Sequence, residues 1–192
     1  MISELPFKST IPELGKIIDG LEKAGDKILE VYETDFSTEK KDDDSPITQA
    51  DIESNKILKE VLGETGITIL SEEDVDDKKR LSEEKVWIVD PLDGTTDFVN
   101  KTGEFTIMVG LVEKQKSILG LIYWPIKKKM YLAESGKGTF RHDKEWEKIE
   151  VSMISEIQNC HALVSRHHLS FQLKNLFRKP REFSLQLLPF HQ

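Results

Sequence analysis

The chain has 192 residues, 38% of them apolar and 32% charged, which suits one domain with its own core and is short for a two-domain enzyme. Its formal net charge of -8 argues against nucleic acid as a partner, because that binding relies on Lys and Arg neutralising phosphates. No apolar run is long enough for an integral membrane segment, and the single Cys160 with no secretory signal at the N-terminus predicts a cytoplasmic protein.

Two helices are predicted before any strand. Apolar residues recur at helical spacing over 11–32, and Thr10 with Glu13 forms a capping-box pattern where this first helix would begin. A charged loop is expected at 33–45.

The second helix is expected to open at 46–48 and to carry Ile52 among its buried residues. Thr48 and Asp51 form another capping-box pattern near its start. Asp51 can therefore serve as a cap, accept a proton from a catalytic water, or do both.

Strands make up most of the remaining sequence. Two short apolar segments, 67–70 and 86–89, are each followed by acidic residues, and the second is expected to be buried on both faces. Four further segments alternate with tight turns and predict an antiparallel meander, at 105–112, 117–123, 129–133 and 139–142. The glycine-containing segment 136–138 lacks Walker spacing and is expected to be a hairpin turn.

The order of elements predicts an α+β fold in which two N-terminal helices pack on a mostly antiparallel sheet. One more strand is expected near 161–165, and 171–192 differs in composition from the rest of the chain. The predicted organisation is therefore a domain over 1–170 followed by an atypical tail over 171–192.

Asp90 and Asp93 are the first candidate metal ligands. They lie three residues apart after an apolar strand, with Pro91 stiffening the turn and Gly94 allowing close backbone approach. Two carboxylates and a carbonyl can then converge on a hard cation, and oxygen ligands favour Mg²⁺ or Mn²⁺ over zinc. The same pattern also occurs in ordinary Asp-Gly turns that bind nothing.

Two neighbouring segments add to this candidate site. Glu72 follows the other short strand, and a neighbouring strand could bring it beside Asp90, although such acidic stretches are also common in solvated loops. Thr95 lies where a loop enters a predicted helical turn, whose free N–H groups could hold a phosphate while the hydroxyl positions a water. Thr95 could equally be a simple helix N-cap.

Taken together, these motifs resemble the inositol monophosphatase superfamily in content, order and spacing. The motifs that carry the resemblance lie at 46–51, 70–73 and 87–98, and they are extended at 103–106, 119–125 and 131–138. The resemblance implies a layered α/β sandwich of the sugar-phosphatase type and hydrolysis of phosphomonoesters, in a class that is typically lithium-sensitive.

The resemblance also implies the ligands of two or three Mg²⁺ ions, which Mn²⁺ could replace. Glu72 and Asp90 would bind the first ion together with the Leu92 carbonyl. Asp90 and Asp93 would hold the second.

The remaining roles implied by the family concern the substrate phosphate and the attacking water. Glu72 and the amides of Gly94 and Thr95 would lie against the phosphate. Asp51 and Thr95 would orient and activate the water.

Within the superfamily, segments 70–73 and 164–168 look most like the 3'(2'),5'-bisphosphate nucleotidase branch, which serves sulfur metabolism. That branch removes the 3'-phosphate of 3'-phosphoadenosine 5'-phosphate to give AMP and phosphate, and His168 would contact the nucleotide. Thr96 stands where that branch usually has a basic residue. This difference favours the alternative of an inositol-1-phosphate or other sugar phosphatase. Relatives are commonly homodimers.

The sequence departs from the family after Ser170. The Trp-Asp-x-Ala motif that completes the second metal site does not occur, so the second α/β region is expected to be truncated. A third alternative is therefore an inactive remnant that still binds metal.

Overall fold

The computed structural model describes residues 2, 4–35, 38–40 and 46–156. The chain divides into two compact units, residues 1–149 and 150–192. All helices and strands given below belong to the first unit, and the described part of the second, 150–156, forms neither. The predicted strand near 161–165 and the predicted tail 171–192 lie outside the described residues.

The helices and strands follow one another along the chain in an order close to the predicted one. They are α1 (Leu14–Tyr32), β1 (Thr38–Lys40), β2 (Pro46–Thr48), α2 (Gln49–Gly63), β3 (Thr68–Ser71), β4 (Lys85–Asp93), α3 (Thr95–Val99), β5 (Thr106–Glu113), β6 (Lys116–Trp124), β7 (Lys129–Glu134), β8 (Gly138–His142) and β9 (Trp146–Ile149). Single turns of 3-10 helix occur at Lys79–Leu81 and Pro125–Lys127.

Within the described residues, seven strands form one sheet in the order β3-β4-β5-β6-β7-β8-β9, while β1 and β2 form a separate pair. Only the β3–β4 pair of this sheet is parallel, and from β4 onward each strand pairs antiparallel with the next. The predicted α+β fold and its antiparallel meander are confirmed. The edge strand β9 was not part of the prediction.

Helices α1 and α2 cover one face of this sheet. The inward side chains of neighbouring strands stand opposite one another, as in the Val89–Val109 and Val109–Leu121 pairs, and all three are buried. Helix α1 approaches so closely that a Cβ added to Gly25 would lie 2.4 Å from the Tyr123 ring. The core therefore depends on a glycine where helix and sheet meet.

The opposite face of the sheet is open to solvent in the part of the chain that the structure describes. Ile88 is 46% exposed there, and Met108 and Ile122, which face each other on β5 and β6, are also exposed. The prediction that 86–89 is buried on both faces is wrong for Ile88, because the two N-terminal helices lie on the side of β4 that carries Trp87 and Val89; Val86 is buried.

Both predicted helix starts need correction. Helix α1 begins at Leu14 without a side-chain cap, since the Thr10 hydroxyl donates instead to Glu134 Oε1 over 2.8 Å. Residues 46–48 form a strand paired with 38–40, so the predicted loop at 33–45 contains one partner of a β-ladder. Ile52 is 48% exposed rather than buried.

Candidate active site

The candidate site is built around the last residues of β4. Asp90 stands opposite Met108 and Asp93 opposite Thr106, with a register shift in β4 between the two aspartates. Such irregularities bend a strand and redirect its side chains. The Leu92 amide then donates to Asp90 Oδ1 over 3.2 Å, which fixes this carboxylate against its own turn.

Gly94 ends this turn in the left-handed region, with φ of 93°. A Cβ at this position would lie 2.8 Å from the carbonyl oxygen of Glu104. Both the backbone conformation and the close approach therefore require glycine. The chain then enters α3 at Thr95, with Gly94 as the N-cap residue. The alternative of Thr95 as the N-cap is wrong.

Glu72 reaches the same edge of the sheet through the parallel pairing of β3 with β4. Ser71 stands opposite Val89, and the next amide, that of Glu72, donates to the Val89 carbonyl over 3.0 Å. The carboxyl of Glu72 lies close enough to that of Asp90 for its charge to raise the pKa of Asp90. Strand pairing thus brings together two acidic residues 18 positions apart in the numbering.

The electrostatics of this cluster are those of crowded carboxylates. Burial, together with the nearby charges of Glu72 and Asp93, raises the pKa of Asp90 to about 7. Burial also raises the pKa of Asp93, while a hydrogen bond from Thr106 opposes the increase. Removing these side chains from water without neutralising them is unfavourable.

The carboxylates do not by themselves form a finished metal site. Within the described ranges, no three His, Cys, Asp or Glu side chains are arranged as ligands of one ion. The structure does bring Glu72 and Asp90 into contact, and it places Asp93 close enough for its charge to act on Asp90.

Asp51 is fully buried and uses its two oxygens differently. Its Oδ2 accepts hydrogen bonds from the Thr48 amide (2.8 Å) and hydroxyl (2.6 Å), which confirms the predicted capping box of α2. Its Oδ1 accepts one from the Thr95 hydroxyl over 3.1 Å. Burial raises the pKa of Asp51, and the hydrogen bonds from Thr48 and Thr95 oppose this. Capping and contact with the site therefore coexist.

The Thr95 hydroxyl lies between two acceptors. It is 3.1 Å from Asp51 Oδ1 and 3.2 Å from the carbonyl oxygen of Leu92. Through these contacts the start of α3 is attached both to α2 and to the turn after Asp90. The structure thus gathers Asp51, Leu92 and Thr95 at one point.

Two further polar residues of α2 were missed by the sequence analysis. The hydroxyl of Ser54 donates to the Pro91 carbonyl over 2.8 Å, and the Asn55 side chain accepts from the Ser71 hydroxyl over 2.8 Å. Their spacing of three and four residues from Asp51, on one side of a helix, is the signal that could have identified them.

His168 lies outside the described residues.

Comparison with known proteins gives close relatives. The inositol monophosphatase family matches residues 16–184, a range that includes most of the predicted tail, 171–184. The 3'(2'),5'-bisphosphate nucleotidase CysQ of Salmonella typhimurium is 43% identical over 119 residues, 59% of this chain and 48% of that protein. CysQ of Escherichia coli K12 is 34% identical over 166 residues, 81% of this chain and 64% of that protein. The chain thus spans between about half and two thirds of these relatives.

The fold agrees with that of a solved relative. The crystal structure of CysQ from Bacteroides thetaiotaomicron, a bacterial member of the inositol monophosphatase family, superimposes with a TM-score of 0.72 at 33% identity. The superposition covers 88% of this chain and 69% of that one. The resemblance seen in the motifs at 46–51, 70–73 and 87–98 is therefore confirmed, and the chain belongs to the inositol monophosphatase family.

Proposed function

We propose that this protein is a Mg²⁺-dependent phosphatase that removes the 3'-phosphate of 3'-phosphoadenosine 5'-phosphate, giving AMP and phosphate. The observation that carries the proposal is the Thr95–Asp51 hydrogen bond of 3.1 Å, which sets a buried carboxylate and a hydroxyl beside the acidic cluster. The names of the CysQ relatives support the nucleotide as substrate.

The acidic cluster has the chemistry of a magnesium site. Hard cations prefer oxygen ligands, and the carboxylates of Glu72, Asp90 and Asp93 supply them without any His or Cys. Burial and the nearby charges of Glu72 and Asp93 raise the pKa of Asp90, and a divalent cation would neutralise this clustered negative charge.

We assign the ligands accordingly. Glu72, Asp90 and the Leu92 carbonyl would hold one ion, and Asp90 with Asp93 a second. Two or three ions in all, or Mn²⁺ in their place, are part of the same proposal. When bound, magnesium supplies neutralising charge to the phosphoryl oxygens and lowers the pKa of water.

Asp51 and Thr95 act on the attacking water. Asp51 Oδ1 accepts the Thr95 hydroxyl hydrogen, so the hydroxyl oxygen is left to accept from a water, which it orients toward phosphorus. The proton of that water passes toward Asp51, whose raised pKa suits a proton acceptor. No covalent phosphoenzyme is needed.

The substrate phosphate would lie against the turn that enters α3. The amides of Gly94 and Thr95 are at a helix start, where backbone N–H groups lack acceptors within the helix. Glu72 would border the same phosphate from the neighbouring strand. From the family resemblance, we also propose His168 as a nucleotide contact.

A second candidate substrate is inositol 1-phosphate or another sugar phosphate. The observation in its favour is Thr96, which replaces the basic residue usual in the nucleotidase branch. Either substrate is a small phosphorylated molecule. We also propose a cytoplasmic homodimer, for which sedimentation at several protein concentrations is the test.

The test of function is phosphate release by the purified chain from 3'-phosphoadenosine 5'-phosphate and from inositol 1-phosphate, with and without Mg²⁺. Asp90→Asn controls for contaminating phosphatases. We expect Mg²⁺-dependent release that favours the nucleotide and disappears in Asp90→Asn. Preference for inositol 1-phosphate would select the second candidate. No release from folded protein would favour the inactive remnant and overturn the proposal.

A further inference from the structure

Helix α2 presents three buried polar residues to the acidic edge of the sheet. Asp51, Ser54 and Asn55 follow the i, i+3, i+4 spacing of one helix side, and they are 0%, 0% and 8% exposed. Asp51 contacts Thr95 as described above. Ser54 and Asn55 have no part in the proposed reaction, yet each contacts a segment that carries a proposed metal ligand.

Ser54 acts on Asp90 through a single peptide group. Its hydroxyl donates to the Pro91 carbonyl over 2.8 Å, in a buried position. The amide of the same peptide unit, on Leu92, donates to Asp90 Oδ1 over 3.2 Å. Because a peptide unit is planar and rigid, holding its carbonyl end also sets the direction of its N–H. The Ser54 hydroxyl thereby orients the Asp90 carboxylate.

Asn55 holds the segment that carries Glu72 through two hydrogen bonds. Its side-chain carbonyl accepts from the Ser71 hydroxyl over 2.8 Å, and its amide donates to Asp74 Oδ1 over 3.3 Å. These two partners stand immediately before and two residues after Glu72. Lys59, one turn further along α2, also pairs with Asp74 at 2.6 Å. The loop that carries Glu72 is therefore held to α2 on both sides.

We propose that Ser54 and Asn55 are positioning residues that set Asp90 and Glu72 in the geometry required by a divalent cation. This inference rests on the proposed function, because it needs those two carboxylates to be metal ligands. Partners of metal ligands fix ligand orientation, and their loss commonly weakens metal binding by about 10- to 100-fold.

The experiment measures Mn²⁺ binding to the full chain without substrate, by the electron paramagnetic resonance signal of free Mn²⁺, and Mg²⁺ binding by competition. Ser54→Ala, Ser54→Cys and Asn55→Ala are each expected to weaken Mn²⁺ binding by about 10- to 100-fold. Ser54→Cys nearly conserves volume and replaces a strong donor by a weak one, so it tests the hydrogen bond if Ser54→Ala does not fold. Circular dichroism establishes folding.

Thr65→Val is the matched control. It removes a hydroxyl that donates to the Leu62 carbonyl and accepts from Trp87 Nε1, away from the acidic cluster. We expect it to lower stability while leaving Mn²⁺ affinity unchanged. Wild-type affinity in folded Ser54→Cys and Asn55→Ala would overturn the positioning role alone. Equal Mn²⁺ binding by wild type and Asp90→Asn would overturn the metal site, and with it both proposals.

Discussion

The Thr95 hydroxyl donates a 3.1 Å hydrogen bond to Asp51 Oδ1, although the two residues are 44 positions apart. Asp51 is in the first turn of α2 and Thr95 is the first residue of α3, so this bond connects the beginnings of two helices. The second oxygen of Asp51 is engaged by Thr48. The orientation of the Asp51 carboxylate is therefore set by contacts to both of its oxygens.

Asp51→Asn tests this pair. The amide can still accept from the Thr48 backbone, so we expect a modest loss of stability of about 1 kcal/mol. It cannot take a proton from water, and kcat should fall by roughly 10²- to 10⁴-fold. Mg²⁺ binding, measured by calorimetry, should change little because Asp51 is not assigned as a ligand.

Thr95→Ala should lower kcat by a similar factor. Thr95→Ser should retain most of the activity because it keeps the hydroxyl. If Asp51 and Thr95 act as a unit, the double variant Asp51→Asn/Thr95→Ala loses no more than the worse single variant. Additive losses would show that the two residues act separately.

The second prediction concerns stability against pH in the absence of metal. Asp90 has a pKa of about 7 in the folded protein against 3.8 as its ordinary value, so between these values the folded state binds more protons. The free energy of unfolding should therefore decrease as pH rises from about 5 to about 7.5. The raised pKa values of Asp51 and Asp93 act in the same direction.

Urea denaturation in a chelating buffer, repeated at several pH values, measures this slope. Asp90→Asn removes the largest contribution to the pH dependence of the free energy of unfolding, so the slope should become smaller. Mg²⁺ competes with protons for the cluster, so its stabilising effect should be greater at pH about 7.5 than at pH about 5. Equal slopes for wild type and Asp90→Asn would contradict the assignment of the raised pKa to this carboxyl.

The third prediction compares two glycines with positive φ. Gly136 has φ of 76°, and nothing lies within 4 Å of a Cβ added there, so Gly136→Ala should cost about 1–2 kcal/mol from backbone conformation alone. Gly94→Ala adds a contact of 2.8 Å with the Glu104 carbonyl and should cost a further ~1–3 kcal/mol. Thermal unfolding of both variants gives the difference. Equal losses of stability would mean that the backbone around residue 94 can move to accommodate the Cβ without a loss of free energy.

The fourth prediction compares two glycines of α1. Nothing lies within 4 Å of a Cβ at Gly15, and Gly15→Ala should stabilise the protein by roughly 0.5–1 kcal/mol. A Cβ at Gly25 would meet Tyr123 at 2.4 Å, so Gly25→Ala should destabilise by about 1–3 kcal/mol despite the same gain in helix propensity. Chemical denaturation measures both. A stabilising Gly25→Ala would contradict the close packing of α1 on β6.

The elements that sequence reasoning predicted well are those specified by local pattern. The helical spacing of 11–32 and the alternation of 105–142 depend on neighbours within a few residues, and the structure confirms them. The cap predicted at Thr10 failed because its actual partner, Glu134, is 124 residues away. The hydrophobic pattern of the sequence could not predict the exposure of Ile88 either, since this depends on which elements cover the sheet.

The same distinction applies to the candidate site. The acidic residues were identified because their motif is continuous and familiar, and strand pairing brought Glu72 and Asp90 together. Ser54 and Asn55 were missed because polar residues in a helix resemble a solvated face until the packing partner is known. Their burial and their hydrogen bonds with the carbonyl of Pro91 and the hydroxyl of Ser71 show that this face is internal.

The single parallel pair, β3 with β4, has a consequence for the order of folding. From β4 to β9 every pairing joins strands adjacent in sequence, which keeps contact order low and favours early formation of that meander. The pairing of β3 with β4 requires closure of the loop 72–84, so we expect β3 to dock after the meander has formed. Glu72 would then reach Asp90 only after the folding barrier, and a bound cation would slow unfolding without accelerating folding.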